Sequence, residues 1–243
     1  FIVKIYKNFK EIEVKTIGII GGMSFESTIT YYKTINETIN NQLGNLNSAK
    51  ILLYSVNFEE IANLQKNGEW EKAAQILGEC AKKLELGGAD FILIATNTMH
   101  KIFDQIQKNI KIPLIHIAQS TAKILKQQNI HTIGLLGTQY TMMEDFYKNA
   151  LKKENINTIT PNQSDMQELS DIIFNELCKG QMKENSKEKY LKIIQKLKDE
   201  GAQGIVLGCT EIGLLISQED TNIPIFDTAL IHALDAVNLA LKD

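Results

Sequence analysis

The stretch GIVLGCTEIGL, residues 204–214, runs from an apolar strand through Cys209 into a short helical pattern. It has an echo upstream. FILIATNTMHKI, residues 91–102, passes again from an apolar strand through small polar residues into a helical pattern, with Thr96 standing where Cys209 stands. TIGIIGGMS at 16–24 likewise recurs as TIGLLGTQY at 132–140, and IPLIHIAQSTA at 112–122 recurs as IPIFDTALIHA at 223–233. Gly18 and Thr96 are 78 residues apart and Gly134 and Cys209 are 75 apart; Thr96 to Ile112 is 16 and Cys209 to Ile223 is 14. Three pairs in one order at nearly equal intervals indicate duplication of a half of ~115 residues, the size of an ordinary domain.

β-branched and Leu-rich runs predict strands at 16–20, 51–56, 91–95, 114–117, 132–136, 157–159, 204–207 and 223–226. Between them, helical spacing predicts helices at 25–42, 58–86 with a break at Asn67-Gly68, 99–108, 121–128, 142–153, 165–178, 186–200, 211–216 and 229–242. Strands alternating with helices, and apolar throughout, read as parallel sheets covered on both faces. Because IPIF follows the Cys209 motif, the last strand and helix are expected to return to the first half. That gives a discontinuous first domain of residues 1–117 plus 225–243 and a second of 118–224.

In such sheets ligands bind at the carboxyl ends of the strands, where strand order reverses. The polar residues there are Met23 and Ser24, Asn57, Thr96, Asn97 and Thr98, Thr138, and Cys209 and Thr210. Helices that start at these ends offer N–H groups to a carboxylate or phosphate. GIIGGMS lacks the G-x-G-x-x-G spacing, and Val56-Asn57 puts no acid after the second strand, so a tight glycine turn explains it better than a dinucleotide loop.

All 26 basic residues are lysine, so a bound anion must be held by backbone N–H groups, hydroxyls, amides or a Lys rather than a guanidinium fork. A net charge of -3 with both signs scattered offers no basic face to nucleic acid. No apolar run reaches the ~18 residues of a membrane span, and the first fifteen residues, rich in Lys and Glu, read as an extension or edge strand rather than a secretory signal. Cys80, Cys178 and Cys209 have no metal-ligand spacing and read as free thiols of a cytoplasmic protein. Cys80 shares a helical face with Leu77, Ala81 and Leu84 and belongs to the core. Cys178 ends a helix without a partner. Cys209 is the chemical candidate: it follows Gly208 at a strand end, and the helix after it is expected to lower its pKa towards thiolate. Glu211 is a first-turn acid placed to orient the thiol or carry its proton. His100, His116, His131 and His232 are too dispersed for a metal site; His100 and His232 read as packing or capping groups, and His131 as a solvated turn residue.

Two equivalent groups facing each other across a cleft suit removal of a proton from one face of a carbon and its return on the other. GIIGGMSFEST (18–28) with Tyr31-Tyr32 and Ile35-Asn36 after it, ATNTMHK (95–101) and GCTEIGLL (208–215) resemble the aspartate/glutamate racemase family over nearly the whole chain from Thr16. The resemblance implies two pseudo-symmetric three-layer α/β domains with parallel four-stranded sheets and an active site in the cleft between them. It also implies a cytoplasmic amino-acid racemase, usually a homodimer, that needs neither pyridoxal phosphate nor a metal.

Three departures matter. Many members carry two cysteines, whereas here the first position is Thr96, an alcohol and a far poorer base than a thiol. Cys209 is therefore expected to be the effective base for one enantiomer and Thr96 a weak acid or relay. The Arg that some relatives use on the distal carboxylate is missing, leaving Gln65, a Lys or the Thr138–Thr141 turn as substitutes. Glu211 stands where glutamate racemases tend to have His, which is nearer the aspartate-type members. Substrate contacts are expected from Met23, Ser24, Asn57, Gln65, Asn97, Thr98, Thr138, Thr141, Thr210 and Glu211. Because only one thiol is present, a single-cysteine decarboxylase or cis–trans isomerase of the same superfamily stays open, as does an amino-acid-binding protein with a silent cleft.

Overall fold

A computed structural model describes residues 14–242. The extension expected at the N-terminus lies, apart from Val14 and Lys15, outside them. The first half builds a sheet from β1 (Ile17–Gly21), β2 (Ile51–Ser55), β3 (Phe91–Ile94) and β4 (Leu114–Ile115), all parallel, in the order β2-β1-β3-β4. The second half repeats it with β5 (Thr132–Gly137), β6 (Asn157–Ile159), β7 (Gly204–Gly208) and β8 (Ile225–Asp227), in the order β6-β5-β7-β8. The identical order is the duplication made visible. In each sheet the order reverses between the two central strands, and the residues marked by the repeat follow those strands.

The last strand departs from expectation. β8 pairs with β7, Leu207 opposite Asp227, so it completes the second sheet and not the first. Only the last helix, α10 (Thr228–Ala240), crosses over: its Ala229, Ala233, Ala236, Val237 and Ala240 pack with Ile17, Ile19, Tyr31, Ile35 and Leu93. Small residues at i, i+4 and i+7 allow α10 to lie close against α1 (Phe25–Leu43). Asp227 Oδ1 caps α10, accepting from Ala229 N–H at 2.8 Å and Leu230 N–H at 3.1 Å. The fourth strand of the first half behaves the same way: the helix after it, α5 (Ile117–Gln127), joins Ile133, Leu135, Tyr147 and Val206 in the core of the second half. Each half thus lends its last helix to the other.

The remaining helices cover the sheets. α2 (Phe58–Lys66) and α3 (Trp70–Leu86) are separated by the expected break, and Ala73, Leu77, Ala81 and Leu84 of α3 pack on Ile20 and Ile92 together with Cys80, which is core as read. α8 (Gln163–Asn175) and α9 (Glu184–Asp199) cover the second sheet. Three expected helices are broken where they meet the cleft. Residues 98–107 form a 3-10 turn, Thr98–Ile102, followed by α4 (Phe103–Gln107). Residues 139–152 split at extended Glu144 into α6 (Gln139–Met143) and α7 (Asp145–Lys152). After Cys209 only a three-residue 3-10 turn, Ile212–Leu214, forms.

Where the crossing helices meet lie three neutral histidines, His100 and His232 buried and His116 half-buried. His100 Nδ1 donates to the Thr96 carbonyl at 2.9 Å while its Nε2 accepts Ile117 N–H at 3.2 Å, which fixes the tautomer. His232 donates from Nε2 to the Ile115 carbonyl at 3.1 Å and accepts the Tyr31 hydroxyl on Nδ1 at 2.9 Å. Burial holds His100 well below the usual histidine range and lowers His116 and His232 to about 4, so all are uncharged at neutral pH. The packing and capping reading of His100 and His232 holds, and His131 is exposed.

Candidate active site

Thr96 and Cys209 line one cavity between the two halves. Each is delivered by its central strand, β3 and β7, at the carboxyl end. Gly208 is needed for this: a Cβ there would stand 2.8 Å from the Leu136 carbonyl oxygen, so any larger residue would push β7 away from β5. Gly22, at φ +91°, makes the turn out of β1, where a Cβ would meet Val56 N at 2.7 Å. The next peptide, Met23–Ser24, is cis, and Met23 reaches the cavity wall.

The carboxylate of Glu211 organises the site. Its Oε2 accepts the Cys209 thiol at 3.0 Å and the Thr210 hydroxyl at 2.9 Å; its Oε1 accepts Ser24 N–H at 3.1 Å and the Ser24 hydroxyl at 2.7 Å. Four donors converge on one 2 %-exposed carboxylate, and two of them come from the opposite half of the chain. The thiol is not poised as the sequence reading expected. Burial first, and the Glu211 charge second, push Cys209 well above the usual thiol range. The reason is local: a helix N-terminus lowers a thiol pKa through aligned peptide dipoles, and one 3-10 turn supplies too few.

Asn97 carries a second signal. Its Nδ2 donates to the Thr228 hydroxyl at 2.9 Å, and that hydroxyl spends its own proton on the Leu207 carbonyl at 2.7 Å. The amide is thereby oriented, and Asn97 Oδ1 is buried without a partner among the described residues. An unpaired buried acceptor costs about 1–3 kcal/mol and marks a place for a donor from outside the chain. Thr98 and Thr138 also line the cavity, their hydroxyls 3.3 Å apart across the two halves.

Gln65 lies on the cavity wall as expected, whereas four other expected contacts, Ser24, Asn57, Thr141 and Thr210, do not line it. Asn57 is exposed and caps α2, accepting Glu59 N–H at 3.3 Å. Thr141 is buried behind Thr138, and Thr210 is turned onto Glu211. Ser24 acts through Glu211. Conversely, Phe58, Ile173, Phe174 and Cys178 form walls that no motif announced, and Cys178, read as partnerless at a helix end, faces the same cavity as Cys209. Apolar wall residues look like core in a sequence, so only the fold could assign them.

The cavity measures about 20 Å³, room for about one water molecule and too small for an amino acid. Wider surface hollows, about 910 Å³ beside α8 and about 480 Å³ beside β8, contain neither Thr96 nor Cys209. An amino acid therefore fits only if the cavity widens. Among the contacts that join the halves, besides those of Ser24 and Thr98, are Lys101 Nζ, 2.6 Å from Glu144 Oε2 and 4.0 Å over the Trp70 ring, Trp70 against Tyr140 at 5.8 Å, and, between the crossing helices, the Ser120 hydroxyl donating to Asp235 at 2.8 Å. No group of three or more His, Cys, Asp or Glu among the described residues is arranged to hold a metal ion.

The Asp/Glu/Hydantoin racemase family matches residues 20–236. A Yersinia pestis protein provisionally assigned as an Asp/Glu racemase is 50% identical, with a TM-score of 0.87 over 94% of this chain and 100% of that one. An aspartate racemase homologue from Pyrococcus horikoshii OT3 is 37% identical, with a TM-score of 0.82 over 94% of this chain and 100% of that one. The broad specificity amino-acid racemase RacX of Bacillus subtilis is 26% identical over 231 residues, 93% of this chain and 98% of its own. With the repeated sheets, the cleft between them and the Thr96 and Cys209 pair already in view, the chain belongs to the Asp/Glu/Hydantoin racemase family.

Proposed function

We propose that the protein is an amino-acid racemase acting on aspartate, glutamate or a related small amino acid by proton transfer on both faces of the α-carbon, without a cofactor. The observation that carries this reading is the meeting of Thr96 and Cys209, from equivalent positions of a duplicated fold, in one cavity. The amino acid is gripped between two lobes, β1–β4 with α10 and β5–β8 with α5. Its ammonium is taken by the bare Asn97 Oδ1, and its α-carboxylate by the Thr98 and Thr138 hydroxyls, whose hydrogen bonds strengthen as enolate-like charge develops.

Cys209 and Glu211 share one proton and one negative charge. Because burial raises the thiol pKa, thiolate forms only when the proton passes to the hydrogen-bonded Glu211 carboxylate. The thiolate then removes the α-proton from its side, and the Thr96 hydroxyl delivers one from the other. The negative charge leaves the pair as the α-proton arrives, rests on the enolate-like substrate, and passes to the Thr96 oxygen when its hydroxyl gives up the proton; the extra proton on the pair returns to Thr96 before the next turnover. An alcohol is a weak base, so approach from the Thr96 side is slower; the equilibrium between enantiomers is unaffected.

Two further properties complete the proposal. Three free thiols support a reducing, cytoplasmic location. Phe25, Ile29 and Tyr32, spaced along one face of α1 and 58%, 57% and 54% exposed, support burial against a second copy in a homodimer. The direct test of the activity is a panel of L-amino acids incubated in deuterated water, followed by proton NMR and optical rotation. At least one is expected to lose its α-proton signal together with its rotation. Release of carbon dioxide from a malonate, or conversion of maleate to fumarate, without any racemisation would favour the single-thiol chemistries instead.

A further inference from the structure

We propose that the amino acid turned over carries an uncharged side chain, so that glutamine is used in preference to glutamate, or asparagine in preference to aspartate. This rests on the racemase reading and narrows its substrate. With the reacting groups at Thr96 and Cys209 and the polar contacts at Asn97, Thr98 and Thr138, the walls left for a side chain are Met23, Phe58, Met99, Ile173 and Phe174, with the Cys178 thiol and one amide, that of Gln65. Gln65 is 6% exposed and lies on the cavity wall with Phe58. An amide offers both a donor and an acceptor, so it matches another amide or a hydroxyl fully and a carboxylate only by half.

Cation is what a distal carboxylate would need, and none lines the cavity. The chain has no Arg to supply one. Lys101, beside the Thr96 motif, is committed to the Glu144 carboxylate and the Trp70 face. Lys66 and Lys179 neighbour the wall residues Gln65 and Cys178 in sequence, yet both are exposed. The fixed charge already in the cavity, on Glu211, is negative and disfavours a second carboxylate nearby. A charged group desolvated against apolar walls without a partner is strongly penalised, while its uncharged isostere is not.

Glutamine and glutamate, and asparagine and aspartate, are pairs of nearly one shape that differ in charge, so the comparison isolates this effect. With the wild-type protein, kcat/KM for α-proton exchange in deuterated water is expected to be at least about 100-fold higher for the uncharged member of one pair. Glutamate and aspartate exchanging as fast as or faster than their amides would overturn the inference while leaving the racemase reading intact. No exchange with any amino acid would remove the racemase reading and this inference with it. Gln65→Lys plants a cation at the wall and is expected to shift the ratio at least about tenfold towards the carboxylate; an unchanged ratio in a folded variant contradicts placement of the side chain against Gln65.

Discussion

Cys209→Ala is expected to lower α-proton exchange by about 10⁴ or more for both enantiomers, with no change of fold and little loss of stability. The side chain removed is small, and the donors to Glu211 that remain, Thr210 and Ser24, keep that carboxylate satisfied. What disappears is the thiol that faces Thr96 from the end of β7 and is hydrogen-bonded to Glu211, and loss of a nucleophile or base of this kind commonly costs that much. The wild-type profile carries a second signature. Thiolate beside protonated Glu211 holds the same number of protons as thiol beside carboxylate, so kcat/KM should stay flat through neutrality and show no rise near ~8.5, where an ordinary thiol titrates. A rise centred there would mean that Cys209 loses its proton to solvent and not to Glu211. Exchange assays across pH, with circular dichroism to verify the fold, check both points.

Glu211→Gln carries the second large effect, and it acts on rate and stability together. Glutamine offers one acceptor oxygen and two N–H donors where the site presents four donors, so some of Ser24 N–H, Ser24 Oγ, Cys209 Sγ and Thr210 Oγ1 must face an N–H. Unsatisfied buried groups cost about 1–3 kcal/mol, which a denaturant titration would read as a lowered midpoint. The amide also cannot receive the thiol proton. We expect kcat to fall by about 10²–10⁴, the usual contribution of a positioned acid or base, with KM changed far less. A variant that loses only stability would reduce Glu211 to a strut between the halves. Glu211→Asp keeps the charge but shortens the reach and should recover part of the rate, which a purely structural role does not predict.

Much of this was readable in the chain because duplication leaves marks that physics does not blur. The strand ends must present glycine and small polar residues in both copies, so TIGIIGGMS and TIGLLGTQY, or ATNTMH and GCTEIG, remain recognisable, and all eight strands fall where the apolar runs lie. The last strand misled because IPIF follows Cys209 closely, and a strand and its helix are easily taken as one unit. Here the strand stays with β7 while the alanine face of α10 crosses to α1. The thiol misled for a related reason. GCTEIG reads as the start of a helix, but the Glu211 side chain folds back onto Cys209, and only a short 3-10 turn follows. Asn57 has the composition of a binding residue and serves as a cap, a use that the same side-chain oxygen satisfies equally well. Phe58, Ile173 and Phe174 became visible only once α2 and α8 were brought to opposite sides of the cleft.

The division of labour between Thr96 and Cys209 is the central claim, and Thr96→Ala in deuterated water, with each enantiomer supplied separately, tests it most directly. With the hydroxyl gone, one face of the α-carbon has no acid, while the Cys209 and Glu211 pair on the other face is intact. Racemisation should fall by about 100-fold or more, while one enantiomer, and only one, still takes up deuterium with its configuration retained. Inversion at an undiminished rate would show that the second proton comes from elsewhere, and equal deuterium uptake by both enantiomers would show that Cys209 does not serve a single face.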